Sequence, residues 1–269
     1  QVLTRHGART TVFELPGNGT NNDVEWTCTF RHFDSCDASP ERRFRKTYLN
    51  DVEVLKGNCA EGQPTSTGSK MHMELGEAYR ERYVEKLNLE FPNSVYVRAT
   101  DVPRVFASVQ SNLASMFPSR TTTTMSPEIF TIDNDVDPLA NPNQICPLGM
   151  KIGKDRLEDE VSVAFLESRR EELTRILNKF NLSFDATNFD FWQACSIPDQ
   201  VYARKCSMND SPLQNPNGVT YEDARFVFDT LAFLSYHELN TTQQRRFSAG
   251  LLVKEMMNNI DRAISGEEK

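Results

Sequence analysis

The sequence contains no CxxC pair and only 4 histidines and 2 tryptophans in 269 residues. That leaves zinc-site and thioredoxin-like readings with little support, and no ligand cluster calls for a metal or another cofactor. No apolar run approaches the length needed to span a bilayer. Cationic excess is also missing. The net charge of −8 argues against a nucleic-acid partner and against a polybasic membrane-binding surface. Neither an internal repeat nor a low-complexity tract occurs. No signal peptide is expected in this stretch, because Gln1 already stands at what reads as a first core strand. The expectation is a mature or trimmed product.

What is present describes an ordinary globular protein, 38% hydrophobic and 25% charged. Its length allows one large domain, or one domain with a sizeable insertion. Six widely spaced cysteines, Cys28, Cys36, Cys59, Cys146, Cys195 and Cys206, suit up to three disulfides in a secreted or lysosomal setting. Short loops favour Cys28–Cys36 and Cys195–Cys206, leaving Cys59–Cys146, with buried free thiols as the alternative. Glycosylation sequons begin at Asn18, Asn181, Asn209 and Asn240. This composition would produce about three of them by chance.

The first eleven residues carry the densest chemistry. Gln1-Val2-Leu3-Thr4 runs into Arg5-His6-Gly7-Ala8-Arg9, which reads as a short buried strand ending in an imidazole between two guanidiniums. Two planar donor forks beside one nucleophile suit a tetrahedral oxyanion such as phosphate. Cationic neighbours keep the imidazole neutral and its lone pair free to attack. The bland reading is a chance cluster on a polar loop.

The segment resembles the Arg-His-Gly-x-Arg signature of the histidine acid phosphatases, in the wider phosphoglycerate-mutase-like group. In that family the His is phosphorylated and the arginines hold the phosphate. Thr11 stands where the family usually has Pro. Gly62 to Gly76 is similar to the family's Gly-Gln-Leu-Thr helix, with Pro64 for Leu and His72 read as a partly buried polar contact. Arg98-Ala99-Thr100-Asp101-Val102-Pro103-Arg104 matches a third segment. From it Arg98 inherits the role of third phosphate ligand, while Arg104 reads as a helix-surface or supporting residue.

Along the chain, residues 12–66 read as a long irregular loop holding the basic patch Arg42, Arg43, Arg45 and Lys46. Met71, Leu75, Tyr79, Tyr83 and Leu87 trace the buried stripe of a helix. Val95–Arg98 and Glu128–Ile132 read as strands. Asp101 is the expected N-cap of a helix with Pro103 in its first turn and Val102, Phe106, Val109, Leu113 and Met116 buried. Leu157 through Phe180 traces one long amphipathic helix. Further helices are expected near 186–196, 219–237 and 243–265, the last burying Leu252, Val253, Met256, Ile260 and Ile264 and ending at Gly266.

The expected fold is α/β, a three-layer sandwich with a central, mostly parallel sheet and an inserted helical cap. Residues 1–133 and 243–269 form the core, residues 134–242 the cap. The resemblance places the leaving-group acid in a His-Asp or His-Ala-Glu motif on a strand after the 243–265 helix, and the sequence stops before it. His237-Glu238 precedes that helix and reads as non-catalytic. The final strands are therefore expected to be missing from this chain.

The resulting expectation is a secreted, lysosomal or cell-surface acid phosphatase acting on phosphomonoesters. His6 is the nucleophile and Arg5, Arg9 and Arg98 are the clamp. Expected partners are a small phosphomonoester, a second polypeptide with the C-terminal part of the fold, and a second copy in a homodimer. The alternatives are a non-catalytic phosphatase-like binding or structural surface protein and a dedicated inositol- or sugar-phosphate phosphatase.

Overall fold

The structure, a computed structural model, describes residues 1–13, 25–28, 55–90, 95–118, 128–139, 146–207 and 218–266. Cys36, Asn18, Asn209 and the 42–46 basic patch lie outside these residues.

Among the described residues the molecule is helical, with no strand and no sheet. The three-layer sandwich is thus corrected. Where strands were expected there are isolated bridges: Arg9 with Pro64, Trp26 with Gly57, and Arg98 with Phe130. The 95–98 and 128–132 runs meet only through Ala99 N–H to the Phe130 carbonyl and Phe130 N–H to the Val97 carbonyl, both 2.9 Å. A parallel sheet is covered on both faces, yet Val2, Leu3, Tyr96, Phe130 and Ile132 are exposed. The first residues are therefore not a buried strand.

Helix α1 spans Ser66–Tyr79 and continues through a π-helical turn, Arg80–Val84, into a last short turn, α2, Glu85–Leu87. The Thr65 hydroxyl caps α1 by accepting from Gly68 N–H. Helix α3, Pro103–Met116, starts with Pro in its first turn as expected, but its N-cap is Val102 rather than Asp101. The two helices pack through small residues. Gly68, His72 and Gly76 are buried on α1, and Ser108, Ser111 and Ser115 on α3, whereas Met71 and Leu87 are exposed.

Helix α4 spans Pro147–Leu157, and the expected single helix over 157–180 is two beyond its end, α5 Glu160–Ser168 and α6 Arg170–Asn178. Asp159 restarts the chain by capping α5, accepting from Val161 and Ser162 N–H. Then come α7 Phe191–Ser207, α8 Tyr221–Leu239 and α9 Thr242–Ser265. One hydrophobic cluster, including Leu166, Leu173, Ile176, Ile197, Val227 and Leu234, joins α5 to α8. Gly266 ends α9 in the left-handed region, as expected, but Val253, Ile260 and Ile264 are exposed.

The disulfide joins Cys28 to Cys59, which rules out Cys28–Cys36 and Cys59–Cys146. Cys146, Cys195 and Cys206 are free thiols. Cys195 and Cys206 lie on one helix, α7, roughly three turns apart and beyond disulfide reach.

Candidate active site

His6 sits in a loop wedged between α1 and α3. Gly7 N–H donates to the Ser108 hydroxyl on α3 at 3.1 Å, and that hydroxyl donates to the Arg104 carbonyl at 2.8 Å. On the other side the Ala8 carbonyl accepts from Thr65 N–H at 3.0 Å. The approach to α1 is close. A Cβ on Gly68 would lie 2.0 Å from the Ala8 oxygen, and one on Gly7 2.3 Å from the Gly68 oxygen. Both glycines are required by space alone.

The imidazole is locally oriented. His6 Nδ1 lies 2.8 Å from the Gly7 carbonyl. A carbonyl only accepts, so Nδ1 carries the proton and Nε2 keeps the lone pair. Burial pushes the His6 pKa down to about 4, and the charges of Arg5, Arg9 and Arg104 act in the same direction against the Gly7 hydrogen bond. At neutral and mildly acidic pH the ring is neutral.

Three guanidiniums act on this ring, those of Arg5, Arg9 and Arg104. Arg9 donates from Nη1 to the Thr10 carbonyl at 2.9 Å and from Nη2 to Asp199 Oδ1 at 2.7 Å. Arg104 comes from the first turn of α3, and burial together with Arg9 and Arg5 holds its pKa below the usual arginine value. The Nε–H groups of both Arg9 and Arg104 are buried with no acceptor. A buried charged donor without a partner is costly. Both belong to arginines whose charges act on the one imidazole.

The Arg98 guanidinium is held by carboxylates. It forks onto Asp137, Nη2 to Oδ1 at 2.6 Å and Nη1 to Oδ2 at 3.2 Å, while Nε pairs with Glu255 at 2.8 Å. Asp137 is fully buried. Arg98 ties its segment to the 133–139 turn and to α9. Arg98, expected as a third phosphate ligand, is thus held by two carboxylates, while Arg104, read from sequence as a helix-surface or supporting residue, acts on His6. The signal was available: Arg104 lies in the first turn of a helix that follows an apolar segment, where side chains and N–H groups converge on anions.

His72 is buried, and its Nε2 donates to the Arg5 carbonyl at 3.1 Å, so it supports the backbone that presents Arg5. Burial lowers its pKa, which keeps it neutral. His237 lies elsewhere, on α8. Its Nε2 donates to Asp159 at 2.7 Å, and its Nδ1 accepts from Arg156 at 3.3 Å. It is a buried structural group, in a position expected to be near a surface loop. Asn181 is exposed, while the Asn240 side-chain oxygen accepts from Arg156 at 2.7 Å. Among the described residues no cluster of His, Cys, Asp or Glu could hold a metal ion.

The chain is similar to counting factor 60 of Dictyostelium discoideum, 28% identical over 99% of this chain and 65% of that protein. It is also similar to the lysosomal acid phosphatase of Xenopus laevis, 28% identical over 75% of this chain and 48% of that protein. Human prostatic acid phosphatase is 27% identical over 88% of this chain and 61% of that protein. The chain thus spans about half to two thirds of the length of the curated relatives it matches. Among solved structures, the phytase from Citrobacter braakii resembles it in fold, with a TM-score of 0.56 at 16% identity, covering 93% of this chain and 63% of that one. A family model matches residues 1–269, and the chain belongs to branch 2 of the histidine phosphatase superfamily.

Proposed function

We propose that this chain carries the nucleophile and phosphate clamp of an acid phosphatase that hydrolyses phosphomonoesters through a phosphohistidine on His6. The observation that carries the reading is the neutral, oriented His6 beside two arginines whose buried Nε–H groups lack acceptors. Nε2 attacks phosphorus in line and the ester P–O bond breaks. Arg5, Arg9 and Arg104 stabilise charge on the phosphoryl oxygens, the electrostatic work that dominates phosphoryl transfer. The leaving oxygen takes a proton from the acid of the His-Asp or His-Ala-Glu motif that the resemblance implies, a motif these 269 residues do not contain. Water then cleaves the phosphohistidine.

The proposed clamp replaces Arg98 by Arg104. Helices α4–α8 are the proposed cap over this site, supported by their shared core and by the reach of α7 to Arg9. A secreted, lysosomal or cell-surface location is supported by the Cys28–Cys59 disulfide and by the names of the acid phosphatase relatives.

In the complete protein, with an aryl phosphate at mildly acidic pH, His6→Ala is expected to abolish turnover and the acid-labile phosphoprotein trapped by rapid quench. Retained hydrolysis sinks the reading. Arg104→Ala should lower kcat/KM by about 10²–10³-fold. Arg98→Ala should instead destabilise the fold by about 3–5 kcal/mol, because it leaves buried Asp137 without its counter-charge. Denaturant titration beside kinetics separates the two.

A further inference from the structure

Helix α7 touches the clamp region along one face. Trp192, Cys195 and Asp199 follow each other at spacings of three and four, which share a helix face. The Trp192 ring lies 6.4 Å from that of Phe13, and the Cys195 thiol feels Asp199, Arg9 and Arg5. Asp199 goes further, because both of its carboxylate oxygens are taken by the nucleophile's own loop. Oδ1 accepts from Arg9 Nη2 at 2.7 Å and Oδ2 from Val12 N–H at 3.0 Å. The Arg9–Asp199 pair is only 12% and 11% exposed, so it is not a solvent-screened surface pair.

We infer that Asp199 is a positioning residue for Arg9, pinning its guanidinium so that the Nε–H is held ready for a phosphoryl oxygen. The inference rests on the phosphate-clamp reading above. A guanidinium is a rigid planar fork, so fixing two of its nitrogens fixes the plane. The Thr10 carbonyl holds Nη1 and Asp199 holds Nη2, while the buried Nε–H stays without an acceptor. A carboxylate so close to the clamp could instead be a stand-in for the substrate oxyanion, displaced when phosphate enters. The geometry favours positioning: Asp199 occupies Nη2 and leaves Nε open. Its other oxygen is fastened to the same loop by Val12, so the carboxylate moves with the clamp. An aspartate from the helical block thereby sets the aim of a phosphate ligand about 190 residues earlier.

The two readings predict opposite signs for phosphate binding. Inorganic phosphate titrated calorimetrically into the full chain should bind about tenfold more weakly to Asp199→Asn, the scale of one misaligned charge-assisted hydrogen bond. In an Arg9→Ala background the same substitution should weaken binding no further, since it acts only through Arg9. Gln200→Leu cuts a neighbouring tie of α7, from the Gln200 side chain to the Phe13 carbonyl at 2.6 Å, without touching Arg9. It should leave the phosphate affinity within twofold. Unchanged or tighter binding by Asp199→Asn overturns the inference. Equal weakening without Arg9, or an equal loss in Gln200→Leu, does the same. Independently of any variant, the Arg9 Nε–H resonance of the unsubstituted chain should move on adding phosphate, and a static signal also overturns it. These measurements read binding, so loss of the His6 mechanism would leave them valid, and their failure would leave that mechanism standing.

Discussion

At His6, burial and three arginines push in one direction, and only the Gly7 carbonyl opposes them. The ring should titrate near 4 when followed by its carbon-bound proton resonances, well below the 6.5 of a free histidine. A midpoint above 6 removes the cationic, desolvated environment. The sign for stability follows from proton binding. As pH falls below 6.5 the unfolded chain gains a proton that folded His6 refuses until about 4. This contribution is therefore full above 6.5 and lost across that window. The identity of His6, Arg5 and Arg9 was legible because four peptide bonds tie them into one loop. Arg104 was legible only as one of two arginines six residues apart, and Arg98 ends an apolar run that suggested the end of a sheet strand. What sets the two apart is Asp137, buried and forked onto Arg98, and the acceptor-free Nε of Arg104.

Among the elements, the α1–α3 contact shows how periodicity can be right about a helix and wrong about its face. Large side chains every four residues do mark α1, but the partner helix comes too close for them. A Cβ on Gly76 would stand 2.2 Å from the Asn112 carbonyl oxygen, so the contact face is glycine and serine, and Met71 is turned outward. Gly76→Ala should force the helices apart and cost about 1–3 kcal/mol in thermal or denaturant unfolding. Because α3 carries Ser108 and Arg104 on the same rigid rod, phosphate affinity should fall with it. A variant of unchanged stability would mean that the helices do not meet there. The break between α4 and α5 has a similarly local origin: apolar spacing continues, but the Asp159 side chain caps a new helix rather than letting one pass through.

For the whole molecule, the disulfide closes residues 28 and 59 across a separation of 31, around a small core with Trp26 and Leu55. Chain-entropy reasoning assigns such a loop about 3–4 kcal/mol. Gentle reduction should lower the unfolding midpoint accordingly, and an unchanged midpoint would show the bridge to be idle. The segment it braces pairs with the His6 loop through Thr10 N–H to the Gln63 carbonyl at 2.9 Å, so phosphate binding should loosen as well.

The sequence by itself determined the Arg5-His6-Gly7-Ala8-Arg9 cluster and the positions of α8 and α9, because each depends on neighbours within a few residues. Only the tertiary structure decided which further arginine acts on His6, which cysteines pair, which faces are buried, and that an aspartate on α7 holds Arg9. Those choices depend on distances between segments up to 190 residues apart, which spacing along the chain does not encode. The sheet expectation failed for the same reason: β-branched runs state a local preference, and pairing requires a neighbour that the described residues supply at only isolated points.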